Sequence, residues 1–536
     1  MDKILIVGSG ASGVHFALSV LEKGYDVTML DVGYKKPGVV NPQDSLNELK
    51  AKLSDPVQYF LGENYEAVIY PDNNAEYYGF PPSKNYVFSH PAGFKSRLQG
   101  FAPIFSFARG GLAEAWTAGV YPFNDYDLED FPFSYKDFEP YYSKVAERIG
   151  ILGAKDDLER FFPFHGNISK PLDLDEHSML LLSGYERHKD YLNKTLRCYI
   201  GRSRIAALRE DREQRKGCSY CGRCIWGCPS GAFYTPLIAL NRCKEYPNFK
   251  YIPDMYVSHF NFNSKRHVIG VRAQSLTDNK DYEFPADKIV LAAGTLCSSK
   301  IFMDSFFKNT GEIIKLHGLM DNRQILMPFV NLKMIGKQFN PQSYQYHQIS
   351  MELDGESPKE YIDTQLTTLK TAMIHPVIQS MLFDLKTSLF IFKNIHAALG
   401  IASVSFNDFR RESNYLTLEA DKGSQSARLV INYSPAVNES EKIRQAIKRV
   451  TKALRRLGCI APPVTNHIRP MGANIHYAGT IPMSGGNASF TSTEYCRSND
   501  FDNLYFVDGT TLPWLPAKNL TFTLMANAVR IAEKAF

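Results

Sequence analysis

Two short segments near the C-terminus hold residues suited to moving a proton. Gly472–Thr480 reads Gly-Ala-Asn-Ile-His-Tyr-Ala-Gly-Thr, with His476 in a glycine-rich setting. Asp508–Asn519 reads Asp-Gly-Thr-Thr-Leu-Pro-Trp-Leu-Pro-Ala-Lys-Asn and ends on Asn519. A neutral imidazole takes up a proton near neutral pH, so His476 is a candidate general base. An amide cannot take that proton; Asn519 can only hold an oxygen in place. A histidine in such a loop is ordinarily structural or surface-bound, and His467 is assigned to that class.

The N-terminus carries a different chemistry. Ile4–Val7 is an apolar run ending in Gly8-Ser9-Gly10-Ala11-Ser12-Gly13; Val14–Lys23 has helical spacing, and Asp26–Leu30 reads as a second strand ending at Asp31. Strand, glycine turn, helix, strand and acid in that order predict dinucleotide binding. The glycines let main chain approach a pyrophosphate, the helix N-terminus offers N–H donors, and Asp31 accepts from ribose hydroxyls.

Cys218, Cys221, Cys224 and Cys228-Pro229 have the spacing of a bacterial ferredoxin run. A [4Fe–4S] or [3Fe–4S] cluster fits that spacing, with Cys198 or Cys243 as alternative fourth ligands. Structural zinc, or a loop of free or disulfide-paired thiols, fits it too.

These groups need a large body to hold them. The chain has 536 residues, enough for two lobes sharing one body, and an ordinary composition for a soluble α/β protein. A net charge of +5, with bases mixed among acids, argues against a nucleic-acid partner. The chain enters a strand pattern at once, without signal-peptide features, so a cytoplasmic location is expected. No apolar run is long enough for a membrane-spanning helix.

Beyond Asp31 the strand–helix alternation stops, and Val39–Gly93, rich in Tyr, Asn and Pro, suggests long surface excursions. Glu139–Ile149 reads as a helix with Pro140 in its first turn. Lys288–Leu291 is a further buried strand, closed by Ala292-Ala293-Gly294 and a helix starting near Ser298. Alternation in Tyr415–Leu418 and Arg428–Tyr433 predicts an antiparallel substrate lobe within Phe329–Ser434. Glu439–Leu457 is a basic amphipathic helix with a solvated face. Met373–Leu399 reads as one apolar, aromatic helix interrupted by Asp384, Lys386 and Lys393. It is expected to pack on the substrate lobe or a subunit; contact with a membrane surface, or entry of a lipid-linked substrate, is the alternative. A final helix spans Leu520–Lys534, with Asn519 at its N-cap position.

Further segments carry a resemblance. Arg109-Gly110-Gly111-Leu112-Ala113-Glu114-Ala115-Trp116 continues through Asp130-Phe131-Pro132-Phe133-Ser134-Tyr135 to Pro140-Tyr141-Tyr142. With Ala292-Ala293-Gly294, Asn503–Asp508 and the His476 and Asn519 segments, it resembles the glucose–methanol–choline (GMC) family of flavin oxidoreductases. Both ends match well and the middle poorly.

The resemblance implies an α/β fold with a discontinuous Rossmann-like FAD-binding domain (1–35, 95–150, 235–320 and 470–536). A substrate or cap domain (36–94, 151–234 and 321–469) would carry a largely antiparallel sheet packed on helices. FAD would be held by Gly8, Gly10, Ala11, Ser12, Gly13, Asp31, Gly110, Gly111, Ala115, Trp116, Val257, Ala293, Gly294, Asp508, Gly509, Leu520 and Thr521. Ala115 stands where members with covalent flavin carry a histidine, so non-covalent FAD is expected. Thr117-Ala118-Gly119 replaces the Gly-Gly that many relatives have after the tryptophan.

The implied reaction is oxidation of an alcohol, expected to be a sugar or glycoside hydroxyl, to an aldehyde or ketone. His476 would be the base, Asn519 would bond the substrate oxygen, and the hydride would go to flavin N5. The final helix would direct its positive end at the flavin. Some bacterial relatives look similar in the cysteine loop, and a cluster there would pass electrons to a protein acceptor rather than to oxygen. Three rivals stay open: a GMC-fold lyase or isomerase with non-redox FAD, an oxidase of lipid-linked or long-chain alcohols, and a non-catalytic electron-transfer subunit.

Overall fold

The computed structural model describes residues 2–36, 44, 46–68, 76, 79–163, 167–369, 374–379, 381–420 and 427–536. Its organising element is a parallel sheet in the order Leu504–Phe506, Lys288–Leu291, Lys3–Val7, Asp26–Leu30, Phe249–Ile252. Successive side chains in a strand face opposite ways, and here both faces are covered. Ile4, Ile6, Val27, Met29 and Val290 join a core with helices Ala11–Glu22, Tyr135–Ile149 and Thr521–Lys534. Leu5, Val7, Leu30, Ile289 and Leu291 join a second core with helix Thr295–Thr310 and the antiparallel strands Met255–Phe262 and Val268–Ser275. An unbroken apolar run such as Ile4–Val7 is what a strand buried on both sides requires.

A second, antiparallel sheet runs in the order Cys459–Ile460, Gln324–Asn331, Leu399–Ser405, Ile362–Thr368, Ile349–Leu353, Cys198–Arg202. Ile325, Met327, Phe329, Leu366, Ala402 and Val404 face helices Glu176–Thr195 and Glu439–Arg456. The alternate residues Gln324, Leu326, Gln365, Thr367, Ile401 and Ser403 line a cavity. Period-two geometry therefore turns one face of this sheet into a binding wall.

Four sequence expectations need correction. The alternating stretches near 415 and 430 form strands Tyr415–Ala420 and Ala427–Asn432, but in a separate four-stranded sheet. Leu416, Leu418, Leu429 and Ile431 pack in the second core of the parallel sheet. Pro140 is not in a first turn, because a capping box between Ser134 and Asp137 starts the helix at Tyr135. Asn519 does not cap the last helix, which has Leu520 at its N-cap and no side-chain cap; its amide is engaged elsewhere.

Met373–Leu399 is not one helix either. Its described part gives His375–Gln379 and Leu385–Ile395, while Met373 and Ser380 lie outside the described residues. Asp384 breaks the run by accepting a bond from Thr387 N, 3.0 Å, as the cap of the second helix. Ser388 and Phe392 are buried, whereas Leu382, Phe383, Leu385 and Phe390 are exposed, so the expected packing covers only part of this segment. Among the described residues no helix is long and apolar enough to cross a membrane.

Candidate active site

Where the central strand Lys3–Val7 ends, a cleft opens with an empty volume of about 1330 Å³. Gly8, Gly10, Ala11, Ser12, Asp31, Gly111, Val257, Ala293, Gly294, Asp508, Gly509, Leu520 and Thr521 line it. Gly8 has φ +104, and a Cβ there would stand 2.6 Å from Ala292 O; only glycine fits. Gly13 lies behind the lining, where a Cβ would meet Gly8 O at 2.3 Å, so it sets how closely helix and strand approach. Helix Ala11–Glu22 starts at Gly10 without a side-chain cap, leaving its first N–H groups for a ligand.

At the tip of the next strand, Asp31 accepts bonds from Ser9 Oγ and from Tyr251 OH, the latter 3.0 Å. Burial pushes its carboxyl up to about 6. Gly110 stays off the wall but donates its N–H to Ser9 Oγ, 3.0 Å, tying the Gly-Gly segment to the fingerprint loop. Asp508 both lines the cleft and caps the short turn Gly509–Thr511 by accepting from Thr510 N.

The cleft adjoins a second cavity of about 1610 Å³ empty volume, and Leu112, Ala113, Ile475 and Thr521 line both. Ala115, Trp116, His476 and Asn519 line the second. The segments predicted from sequence to work together are thus brought together: Asn519 Nδ2 lies 3.4 Å from His476 Nε2.

Three residues not anticipated from sequence hold this pair. Asp321 accepts the backbone N–H groups of Gly472 and His476, each at 2.8 Å, and so folds the histidine loop; burial raises its carboxyl to about 7. That loop includes Ile475 at φ +68, a conformation a β-branched residue rarely adopts. Asn322 Nδ2 donates to Phe406 O (2.6 Å) and Pro516 O (2.9 Å), which turns its Oδ1 toward His476 Nδ1, 2.8 Å away. Nδ1 must then carry the hydrogen, leaving Nε2 as the basic atom facing the cavity. Asn474 Nδ2 also lies 3.2 Å from Nδ1, but the Asn322 contact is shorter and its amide is pinned by two carbonyls.

The third is Gln365, whose Nε2 donates to Asn519 Oδ1 and to Asp363 Oδ2. Asn519 consequently presents its N–H₂ to the cavity. Burial lowers the His476 pKa to about 4, so the ring is neutral at physiological pH. The arrangement can bond an oxygen with one group and take its proton with the other.

Comparison with known proteins supplies the family. Residues 203–340 and 410–528 match the N- and C-terminal parts of the GMC oxidoreductase family. The chain is 21% identical to the fructose dehydrogenase large subunit of Gluconobacter japonicus, over 99% of this chain and 97% of that one. The chain belongs to the GMC oxidoreductase family.

As a member it is an oxidoreductase acting on CH–OH donors, and FAD is its cofactor. Another GMC relative, the paromamine 6'-oxidase of Streptomyces fradiae, is also 21% identical, over 99% of this chain and 90% of that protein. Among solved structures, pyridoxine 4-oxidase from Mesorbium loti superposes with a TM-score of 0.60 at 15% identity, over 100% of this chain and 99% of that one. The mixed α/β fold is thus the GMC fold.

The cysteine run of this GMC chain lies behind the second cavity. Ile225, inside the run, lines that cavity and donates its N–H to Gln345 Oε1, 3.1 Å. Tyr346 OH donates to Cys224 O, 3.2 Å. All nine cysteines are free, and among the described residues no three His, Cys, Asp or Glu groups converge to hold a metal ion. Lys36 and Lys84 approach Gly227, and Arg215 Nε donates to Gly231 O, 2.8 Å.

Proposed function

We propose that the protein oxidises an alcohol to an aldehyde or ketone, with a sugar or glycoside hydroxyl as the substrate class. Asn519 Nδ2 holds the hydroxyl oxygen and His476 Nε2 removes its proton. The observation that carries this reading is the 3.4 Å approach of those two atoms, with the histidine tautomer set by Asn322. The glycines from Gly8 to Gly13, Asp31, Ala293-Gly294, Asp508-Gly509, Leu520 and Thr521 would hold FAD. When bound, FAD supplies the isoalloxazine that accepts the hydride. Ala115 has no nucleophilic atom for a covalent flavin link, which supports non-covalent attachment. The parallel-sheet segments form the FAD-binding part in this reading, and the antiparallel wall forms the substrate part.

A sugar-like substrate draws support from the names of the relatives and from the polar residues Gln324, Gln345, Gln365, Thr367 and Ser403 in the wall. Anaerobic mixing of the FAD-loaded protein with a panel of sugars and polyols tests this by bleaching of the flavin absorbance. A lyase or isomerase would turn over substrate without bleaching.

The cysteine loop is read as an iron–sulfur site serving a protein electron acceptor. Its ligand spacing supports this, as do the nearby cations of Lys36, Lys84, Arg215 and Arg223, which would balance thiolate charge. Iron analysis and a visible spectrum of anaerobically purified protein decide it, and iron-free protein with full flavin activity removes the proposal.

A further inference from the structure

Away from the His476–Asn519 pair, the second cavity carries polar atoms that no described residue satisfies. His347 is only 8% exposed and lines this cavity, yet neither of its ring nitrogens has a hydrogen-bond partner among the described residues. Burial alone lowers its pKa to about 4, with no charged neighbour contributing. The ring is therefore neutral, with one nitrogen a donor and the other an acceptor.

Thr367 Oγ1 lines the same cavity and is likewise unpartnered among the described residues. Thr367 stands two positions after Gln365 on the strand Ile362–Thr368, so both side chains share the cavity face. The strand that orients Asn519 thus also presents a free hydroxyl.

Buried polar atoms without partners are destabilising, and natural proteins retain few of them. A neutral imidazole and a hydroxyl each donate and accept, the pattern that complements a hydroxyl and not a carboxylate, phosphate or ammonium. We propose that His347 and Thr367 form a subsite for a non-reacting hydroxyl of a polyhydroxylated substrate, positioning the reacting carbon against His476. The inference rests on the alcohol-oxidation reading and adds the residues that would select a polyol or sugar over a simple alcohol. The rival occupant is an internal water, because His347 also borders a small side cavity with Arg202, Ser203 and Gln348.

The test compares kcat/KM for flavin reduction by D-sorbitol and by 1-hexanol, matched in carbon number. It uses FAD-loaded wild type, His347→Leu, His347→Gln and Thr367→Val. The sorbitol-to-hexanol ratio is expected to fall at least about tenfold in His347→Leu and to return within about threefold of wild type in His347→Gln, which keeps a donor and an acceptor. Thr367→Val, nearly unchanged in volume, should lower the ratio about threefold or more and covers the case of a misfolded His347→Leu. An unchanged ratio in His347→Leu and Thr367→Val means internal water and overturns the subsite, with alcohol oxidation left standing. Absence of bleaching in wild type by both alcohols and by the whole panel of sugars and polyols removes the oxidation reading, and the subsite with it.

Discussion

On the nucleotide side of the joined cavity, Gly8, Gly10, Ala293, Gly294 and Gly509 bring main chain to the wall. On the hydroxyl side the side chains of Gln324, His347, Gln365, Thr367, His476 and Asn519 reach in from several strands and loops. A wall of main chain specifies a shape that many dinucleotide proteins share. A wall of side chains specifies a particular reaction, and His476 and Asn519 in it depend on partners far away in sequence. Damage should accordingly separate into loss of cofactor on one side and loss of chemistry on the other.

The largest effect should come from His476→Ala, with flavin reduction falling at least about a hundredfold while bound FAD stays at the wild-type level. Anaerobic stopped-flow absorbance measures the first and flavin content the second; retention of the rate would end the base assignment. Gly13→Val tests the opposite wall. Its side chain would press on Gly8 O, an overpacking of about 1–3 kcal/mol, and the protein should emerge from gel filtration with little flavin. If it keeps FAD and loses only rate, the contrast between the two walls is wrong.

Asn322→Leu should lower the rate about tenfold by freeing the His476 tautomer. It should also cost about 1–3 kcal/mol of stability, since Phe406 O and Pro516 O lose their donor. Thermal melting and stopped flow together check both. Gln365→Leu releases Asn519 and should cost about three- to tenfold in rate with unchanged FAD content.

The smallest expected effect is that of pH across the working range. A base works when deprotonated, and the His476 pKa is lowered to about 4, so the rate of flavin reduction should be flat from neutral pH down toward 5. It should then fall about tenfold per unit below about 4. A break near 6.5 would mean that the ring is not desolvated.

Legibility differed between the two walls for the same reason. Gly8–Gly13 and Asp31 were readable because a glycine turn between a buried strand and a helix is a local device. His476 and Asn519 were readable as motif members, and the structure brings them within 3.4 Å. Asp321, Asn322, Gln365 and His347 carry no local signal: each is an ordinary polar residue until the antiparallel sheet and the histidine loop meet. Asn519 looked like a helix cap, since its identity suits one, but the bond from Gln365 holds it. Leu382 and Phe383 read as part of one apolar helix, but Asp384 caps a separate helix after them and both are exposed.

By itself the chain of residues determined where backbone must pass close to a dinucleotide, because steric exclusion at glycine acts over a few neighbours. It also singled out the imidazole and the amide as partners. Only the tertiary structure decided which imidazole nitrogen is basic and which end of the amide faces the cavity. Those choices rest on hydrogen bonds from residues over a hundred positions away, and packing alone brings such residues into contact.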